Sequence, residues 1–124
     1  MELNKPEVVA EVTALFERYE AALMANDVET LNALFWTDPR VLRYGPSECL
    51  YGHQAIRDYR TARDVTGIER RLTRTVITTF GNDVATANTE YERLETGRIG
   101  RQSQTWVRFP EGWRIASAHV SLLP

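Results

Sequence analysis

Arg43 and Tyr19 are the residues of this chain whose types and settings point most directly to chemistry. Arg43 stands in a short extended segment between Leu42 and Tyr44. Turned inward, its planar fork is the natural two-pronged partner of a carboxylate, a geometry that lysine lacks; turned outward, it is a solvated strand arginine. Tyr19 lies on the apolar stripe of a helical segment, so its ring faces the interior and its hydroxyl needs a partner. A backbone carbonyl in that role makes Tyr19 a core residue, whereas a polar group makes it part of a cavity. Sharing one pocket, the two side chains would anchor a carboxylate and stabilise charge developing beside it, which is electrostatic catalysis.

The C-terminal run from Arg101 to Ser121 is the next source of candidates. It reads as two strands joined at Pro110-Glu111-Gly112, where Pro presets φ and Gly supplies the unusual backbone angle. Gln102, Gln104 and Trp106 share one face of the first arm, and Ser117, His119 and Ser121 form an alternating row on the second. A purely structural hairpin favours aliphatic residues at such positions, so these polar groups imply a cavity that holds something polar. Gln104 and Trp106 are therefore candidate ligand contacts. His119 is either a ligand or acid–base residue or a hydrogen-bonded structural one, because strand alternation alone does not say which face its row takes. Trp36, Tyr44 and Tyr59 are core aromatics of which some must line the cavity mouth.

Other chemistries lack their residues. There is no HExxH, CxxC or clustered His/Asp set for a metal, no GxSxG elbow and no glycine-rich phosphate loop. The expected cofactor complement is none. Cys49 has no base near it in sequence, so it reads as a buried or interface thiol rather than a nucleophile. Glu90 and Glu92 share a strand face opposite Arg70 and Arg74; cross-strand pairing accounts for them, and a carboxylate base at Glu90 is the other reading.

The elements that position these residues are helical first and stranded later. After Pro6, the residues Val8, Val12, Leu15, Phe16, Tyr19 and Leu23 recur at helical spacing. A second helix follows Asn26-Asp27, with Asn26 as cap answered by Glu29, and Asp38-Pro39 stops it. Val41 to Tyr44 and Cys49 to Tyr51 are short strands, and Gly52 leads into a third helix carrying Ala55, Ile56 and Tyr59. Ile68 to Phe80 is a long strand, turning at Gly81-Asn82-Asp83 into Val84 to Leu94 and again at Gly97 to Gly100 into the C-terminal hairpin.

At 124 residues the chain is one domain, residues 1–124, with room for a single core. A net charge of −2 and a pI near 5.7 disfavour nucleic acid, which selects basic surfaces. No signal-peptide pattern or membrane-length apolar run occurs, and a single cysteine fits a reducing cytoplasm, so a soluble cytoplasmic protein is expected. Three helices before a long curved antiparallel sheet is an α+β layout, a cone with a pocket between the layers. The outer face of such a sheet, read here as apolar on both strand rows, is expected to pair two copies into a homodimer.

The order of elements resembles the nuclear-transport-factor-2-like (SnoaL-like, cystatin-like) superfamily over essentially the whole chain. The matching motifs are the E-x-Y of the first helix, ND-x-x-x-L-x-x-L-F at Asn26 to Phe35, G-x-x-A-I-x-x-Y at Gly52 to Tyr59, and GWRI-x-x-x-H-x-S at Gly112 to Ser121. Within it, LFW at 34–36, RYGP at 43–46, LYGHQAI at 50–56 and SQTWVRF at 103–109 resemble the AtzH-like, HpxZ-like (oxalurate catabolism) family. The resemblance implies a small anionic substrate of the carboxyurea or oxalurate type, met in purine or triazine breakdown. It also implies a cofactor-independent decarboxylase or amidohydrolase whose catalytic pair maps onto Tyr19 and Arg43. Non-catalytic ligand-binding or assembly subunits are the other role such a fold takes.

Overall fold

The computed structural model describes residues 1–124. Three helices precede the main sheet: α1 (Pro6–Ala25), α2 (Val28–Leu34) and α3 (His53–Ala62), with the short strands β1 (Leu42–Tyr44) and β2 (Cys49–Tyr51) between the last two. Four long strands follow, β3 (Arg70–Phe80), β4 (Val84–Arg93), β5 (Ile99–Phe109) and β6 (Gly112–Leu122). They form one six-stranded sheet in the order β2-β1-β6-β5-β4-β3, antiparallel except where β1 runs parallel to β6. This is the expected cystatin-like α+β fold.

Local chemistry sets the helix boundaries. Pro6 occupies the first turn of α1, where its missing N–H costs nothing. Asn26 ends that helix in the left-handed conformation (φ 51°, ψ 42°), its N–H returning to the carbonyls of Ala22 and Leu23. The N-cap of α2 is therefore Asp27 rather than Asn26: its carboxylate accepts from the Thr30 N–H at 3.2 Å and the Thr30 hydroxyl at 2.6 Å. A residue already committed to the αL close of one helix does not adopt the extended cap geometry of the next.

The inner face of the sheet packs on α1, α2 and α3 around Val12, Phe16, Leu31, Phe35, Ile56, Trp106 and Ile115. Phe35 extends beyond α2 to bridge Ile115 of β6, tying the helical layer to the last strand. Two irregularities decide which residues face that core. In β3, Leu72 opposes Tyr91 and Arg74 opposes Glu90, leaving Thr73 unpaired. In β6, Ile115 opposes Trp106 and Ser117 opposes Thr105, leaving Ala116 unpaired. One extra residue reverses the alternation beyond it. Ile115 is inward, and so are Ala118 and Val120, but Ser117 and Ser121 are only partly covered and His119 is exposed.

The outer face departs from the expected apolar composition. Its central rows carry Asn88, Glu90, Arg101, Ser103 and His119, while the large apolar side chains Val76, Phe80 and Val84 are exposed toward the β3–β4 edge. Trp106 and Val120 both lie buried on the inner face. Cys49 is exposed at the start of β2 rather than buried.

Ile115 is fully buried at the junction of α2, β5 and β6. Ile115→Ala is expected to lower unfolding stability by about 2–5 kcal/mol through lost burial and the cavity left behind, read from urea denaturation midpoints.

Candidate functional site

The residues that line one small cavity come from every layer of the cone: Tyr19 and Leu23 from α1, Arg43 from β1, and Tyr59 and Arg60 from α3. Arg63, just past α3, and the sheet residues Arg70, Tyr91, Arg93, Gln102 and Val120 complete it, with Pro46 and Ile68 at its margin. The cavity volume is about 60 Å³, room for a small polar ligand.

Arginine dominates this cavity. Five arginines line it, Arg43, Arg60, Arg63, Arg70 and Arg93, and only two of them have carboxylate partners. Arg43 Nη1 donates to Glu48 Oε1 at 2.7 Å, and Arg70 donates through Nε and Nη2 to Glu20 at 3.0 and 2.7 Å. Arg70 Nη2 also reaches Gln102 Oε1 at 2.9 Å, and its guanidinium stacks 4.4 Å from the Tyr91 ring centroid. Gly100 makes that stack possible, since a Cβ at that position would collide with the Tyr91 ring. The Arg43 guanidinium lies 5.0 Å from the centre of the Tyr59 ring.

Arg60 differs from both. It is 1% exposed, has no ion-pair partner, and its Nη2 donates to the Tyr19 hydroxyl at 2.7 Å. Several buried donors around the cavity have no protein acceptor: Arg60 Nε and Nη1, Arg43 Nε, Arg63 Nε and Nη2, and Gln102 Nε2. Buried donors without acceptors are costly, and here most belong to cations, so the cavity is rich in positive charge and in unused hydrogen-bond donors. Guanidiniums cannot ligate a metal, and no cluster of three or more His, Cys, Asp or Glu side chains exists elsewhere in the chain.

The same charges act on Tyr19. Its burial opposes ionisation, yet the fields of Arg60, Arg43 and Arg70, with the Arg60 hydrogen bond, hold its pKa below that of an ordinary tyrosine. Burial lowers the pKa of Arg60, which has Tyr19 to favour its charge but Arg43 and Arg63 to oppose it. Burial also disfavours the charge on Arg43, but Tyr19 and the Glu48 hydrogen bond overcome it, and its pKa is raised.

Of the residues singled out from sequence, Tyr19, Arg43 and Tyr59 meet at this cavity and the other five do not. Trp36 is stacked on Phe109 (4.8 Å between ring centroids) with Arg40 over its ring, at the opposite margin of the sheet. Trp106 is fully buried and donates its indole N–H to Gln104 Oε1 at 3.0 Å, so this pair forms a polar contact within the core rather than a cavity wall. Tyr44 neighbours the inward Arg43 and so points outward, where its hydroxyl meets that of Tyr51 at 3.0 Å. His119 sits edge-on to Tyr44 at 5.7 Å on the same outer surface, placed there by the extra residue Ala116.

Sequence reading missed Arg60, Arg63, Arg70 and Arg93 as lining residues, and named Gln102 only among the polar groups that imply a cavity. For α3 a signal was present: Ile56, Tyr59, Arg60 and Arg63 stand at i, i+3, i+4 and i+7, so two arginines lie on the helical stripe that normally meets the core. Arg70 was assigned to Glu90 and Glu92; instead Arg71 pairs with Glu92 at 3.0 Å on the surface, and Arg70 turns inward to Glu20.

Glu48 gives the site an acid limit. Partial burial disfavours its charge, but hydrogen bonds from Arg43 and Ser47 outweigh this and hold its pKa below the usual carboxylate value. Its contribution to stability is therefore complete above the ordinary carboxylate pKa and is lost as pH falls through the lowered one. Stability measured from neutral to acid pH should fall less steeply for Glu48→Gln than for the unsubstituted chain; parallel curves would remove Glu48 from the acid response.

Comparison with solved structures places this fold among relatives. A crystal structure of a protein of unknown function from Pectobacterium atrosepticum is 54% identical, covering 98% of this chain and 95% of that one with a TM-score of 0.96. A cystatin-like fold protein from Burkholderia xenovorans is 49% identical, covering 100% of this chain and 99% of that one with a TM-score of 0.94. A nuclear-transport-factor-2-like superfamily protein from Salmonella enterica is 26% identical, with 95% and 92% coverage and a TM-score of 0.76. The search of curated proteins returned no match. With the family model matching residues 1–124 from end to end, the chain belongs to the AtzH-like family.

Proposed function

We propose that the chain is a cofactor-independent decarboxylase acting on a small N-carboxylated urea-type anion of the dicarboxyurea class. The observation that carries this reading is the set of buried guanidinium donors without protein acceptors that converge beside the Tyr19 hydroxyl. Arg43 and its neighbours bind a carboxylate of the substrate that stays in place. The carboxyl group that leaves is directed to the less polar wall of Leu23, Ile68 and Val120, because a guanidinium on it would stabilise the ground state and oppose loss of charge.

The step is a protonation with C–N cleavage. The Tyr19 hydroxyl gives its proton to the nitrogen bearing the carboxyl group. The C–N bonding pair goes to that nitrogen, and the carboxylate oxygen's electrons complete carbon dioxide. An amine or amide N–H and a Tyr19 phenolate remain, and solvent returns the proton. The arginines that lower the pKa of Tyr19 make it a stronger acid for this transfer. Amide hydrolysis, the other chemistry considered, needs a group to activate water. The nearby carboxylates Glu20 and Glu48 are both engaged by arginines, so the geometry favours decarboxylation.

The test is carbon dioxide release from carboxylated ureas, followed by carbon-13 NMR. Tyr19→Phe is expected to lower turnover by roughly two decades or more, as for loss of a positioned proton donor. It should also cost about 1–3 kcal/mol of stability, since Arg60 loses its only partner. Arg43→Lys should weaken substrate binding although charge is retained. Anion binding by calorimetry without turnover on any such substrate would overturn the enzyme and leave a ligand-binding protein.

A homodimer built on the outer sheet face, including the exposed Val76, Phe80 and Val84, completes the proposal. Light scattering at micromolar concentration should give twice the 14.2 kDa chain mass, and a monomer mass would refute it.

A further inference from the structure

We propose that Arg60 is a positioning residue that turns the Tyr19 hydroxyl proton into the cavity and then holds the phenolate left by its departure. This inference rests on the decarboxylase reading but concerns a residue outside the Tyr19–Arg43 pair. A guanidinium has only donors, so the 2.7 Å contact from Arg60 Nη2 makes the Tyr19 oxygen the acceptor. The hydroxyl proton must then lie in another direction, and no protein group accepts it. Tyr19 is 2% exposed and borders the cavity, so the direction left for that proton is toward a bound ligand. Without Arg60 the hydroxyl would be free to rotate, and it would meet substrate as acceptor as readily as donor.

The charge pattern singles out Arg60 among the surrounding cations. From β1, Arg43 faces Tyr19 already paired with Glu48; from β3, Arg70 faces it paired with Glu20 of α1. Arg63 lies farther along the same helical stripe, and Arg93 and Tyr91 border the cavity from β4. Arg60 alone both touches the Tyr19 oxygen and lacks a carboxylate, so its charge is uncompensated until Tyr19 gives up a proton. Its place is fixed by burial, with the guanidinium carbon 5.9 Å from the ring centroids of both Tyr19 and Phe35. A residue that merely filled this space would need neither the contact nor the missing counter-charge.

The experiment is a spectroscopic titration that needs no substrate. Tyrosinate absorbance is followed against pH in the unsubstituted protein and in Tyr19→Phe, and their difference isolates Tyr19 from the other four of the five tyrosines. The same difference is taken on the Arg60→Met and Arg60→Lys backgrounds, with circular dichroism reporting folding. The Tyr19 midpoint is expected below about 10, the value of an unperturbed tyrosine, and should rise by roughly one pH unit or more in Arg60→Met. Arg60→Lys, which keeps charge but loses the planar fork, should give a smaller rise. A midpoint at or above about 10 in the unsubstituted protein overturns the proposal, as does one unmoved in whichever variant folds. Normal carbon dioxide release with an unmoved midpoint would sink the role of Arg60 alone. A moved midpoint without release would sink the decarboxylase alone.

Discussion

A buried guanidinium with no carboxylate partner is the constraint around which the rest of the molecule is arranged. Removing a cation from water is tolerated only where hydrogen bonds or opposite charge replace the solvent. Arg60 has one such bond, to Tyr19, and two nitrogens facing no protein acceptor. Each structural layer that meets it is adapted to that situation. Its helix stripe continues from Ile56 into the core, so the charge is carried inward by apolar packing rather than drawn to the surface.

The neighbouring cations show how the chain sets which charges are satisfied. Arg43 and Arg70 have their own glutamates, and both contacts depend on small or flat neighbours. A Cβ on Gly45 would run into the Glu48 carboxylate that holds Arg43, and a Cβ on Gly100 would displace the Tyr91 ring that carries Arg70. Two cations are thereby neutralised in place while Arg60 and Arg63 keep donors in reserve. The result is a site strongly positive within a chain whose net charge is −2, so attraction for an anion is local to the cavity rather than a property of the whole surface.

Much of the fold was legible because its signals are local. Helical spacing from Val8 to Leu23, the turn at Gly81-Asn82-Asp83 and the alternation of the long strands depend on residues close in sequence, and they identify the element order without reference to the rest of the chain. Tyr19 and Arg43 were also accessible: one sits on an apolar stripe, and the other is a charged residue in a short strand, and each is informative for its type at its place. The helix cap assigned to Asn26 failed for a local reason as well, since closing α1 and opening α2 demand different backbone angles of one residue.

What sequence alone determined, then, was the α+β cone and its element order; it singled out Tyr19 and Arg43 but left open whether either faced a cavity. The tertiary structure alone decided the parity of the strands beyond their irregularities, and with it the fate of His119. One unpaired residue, Ala116, places that histidine outside with Tyr44 and brings Ala118 and Val120 inside. Likewise Arg70 faces the cavity, before the Thr73 irregularity, while Arg74 beyond it is exposed. A bulge is selected by the fit of the whole curved sheet over the helices, not by the residue that forms it. The arginine cavity itself is of the same kind: its arginines lie from Arg43 to Arg93 in the chain, and only the closing of the sheet over α1 and α3 brings the charges of Arg43, Arg60 and Arg70 onto one tyrosine.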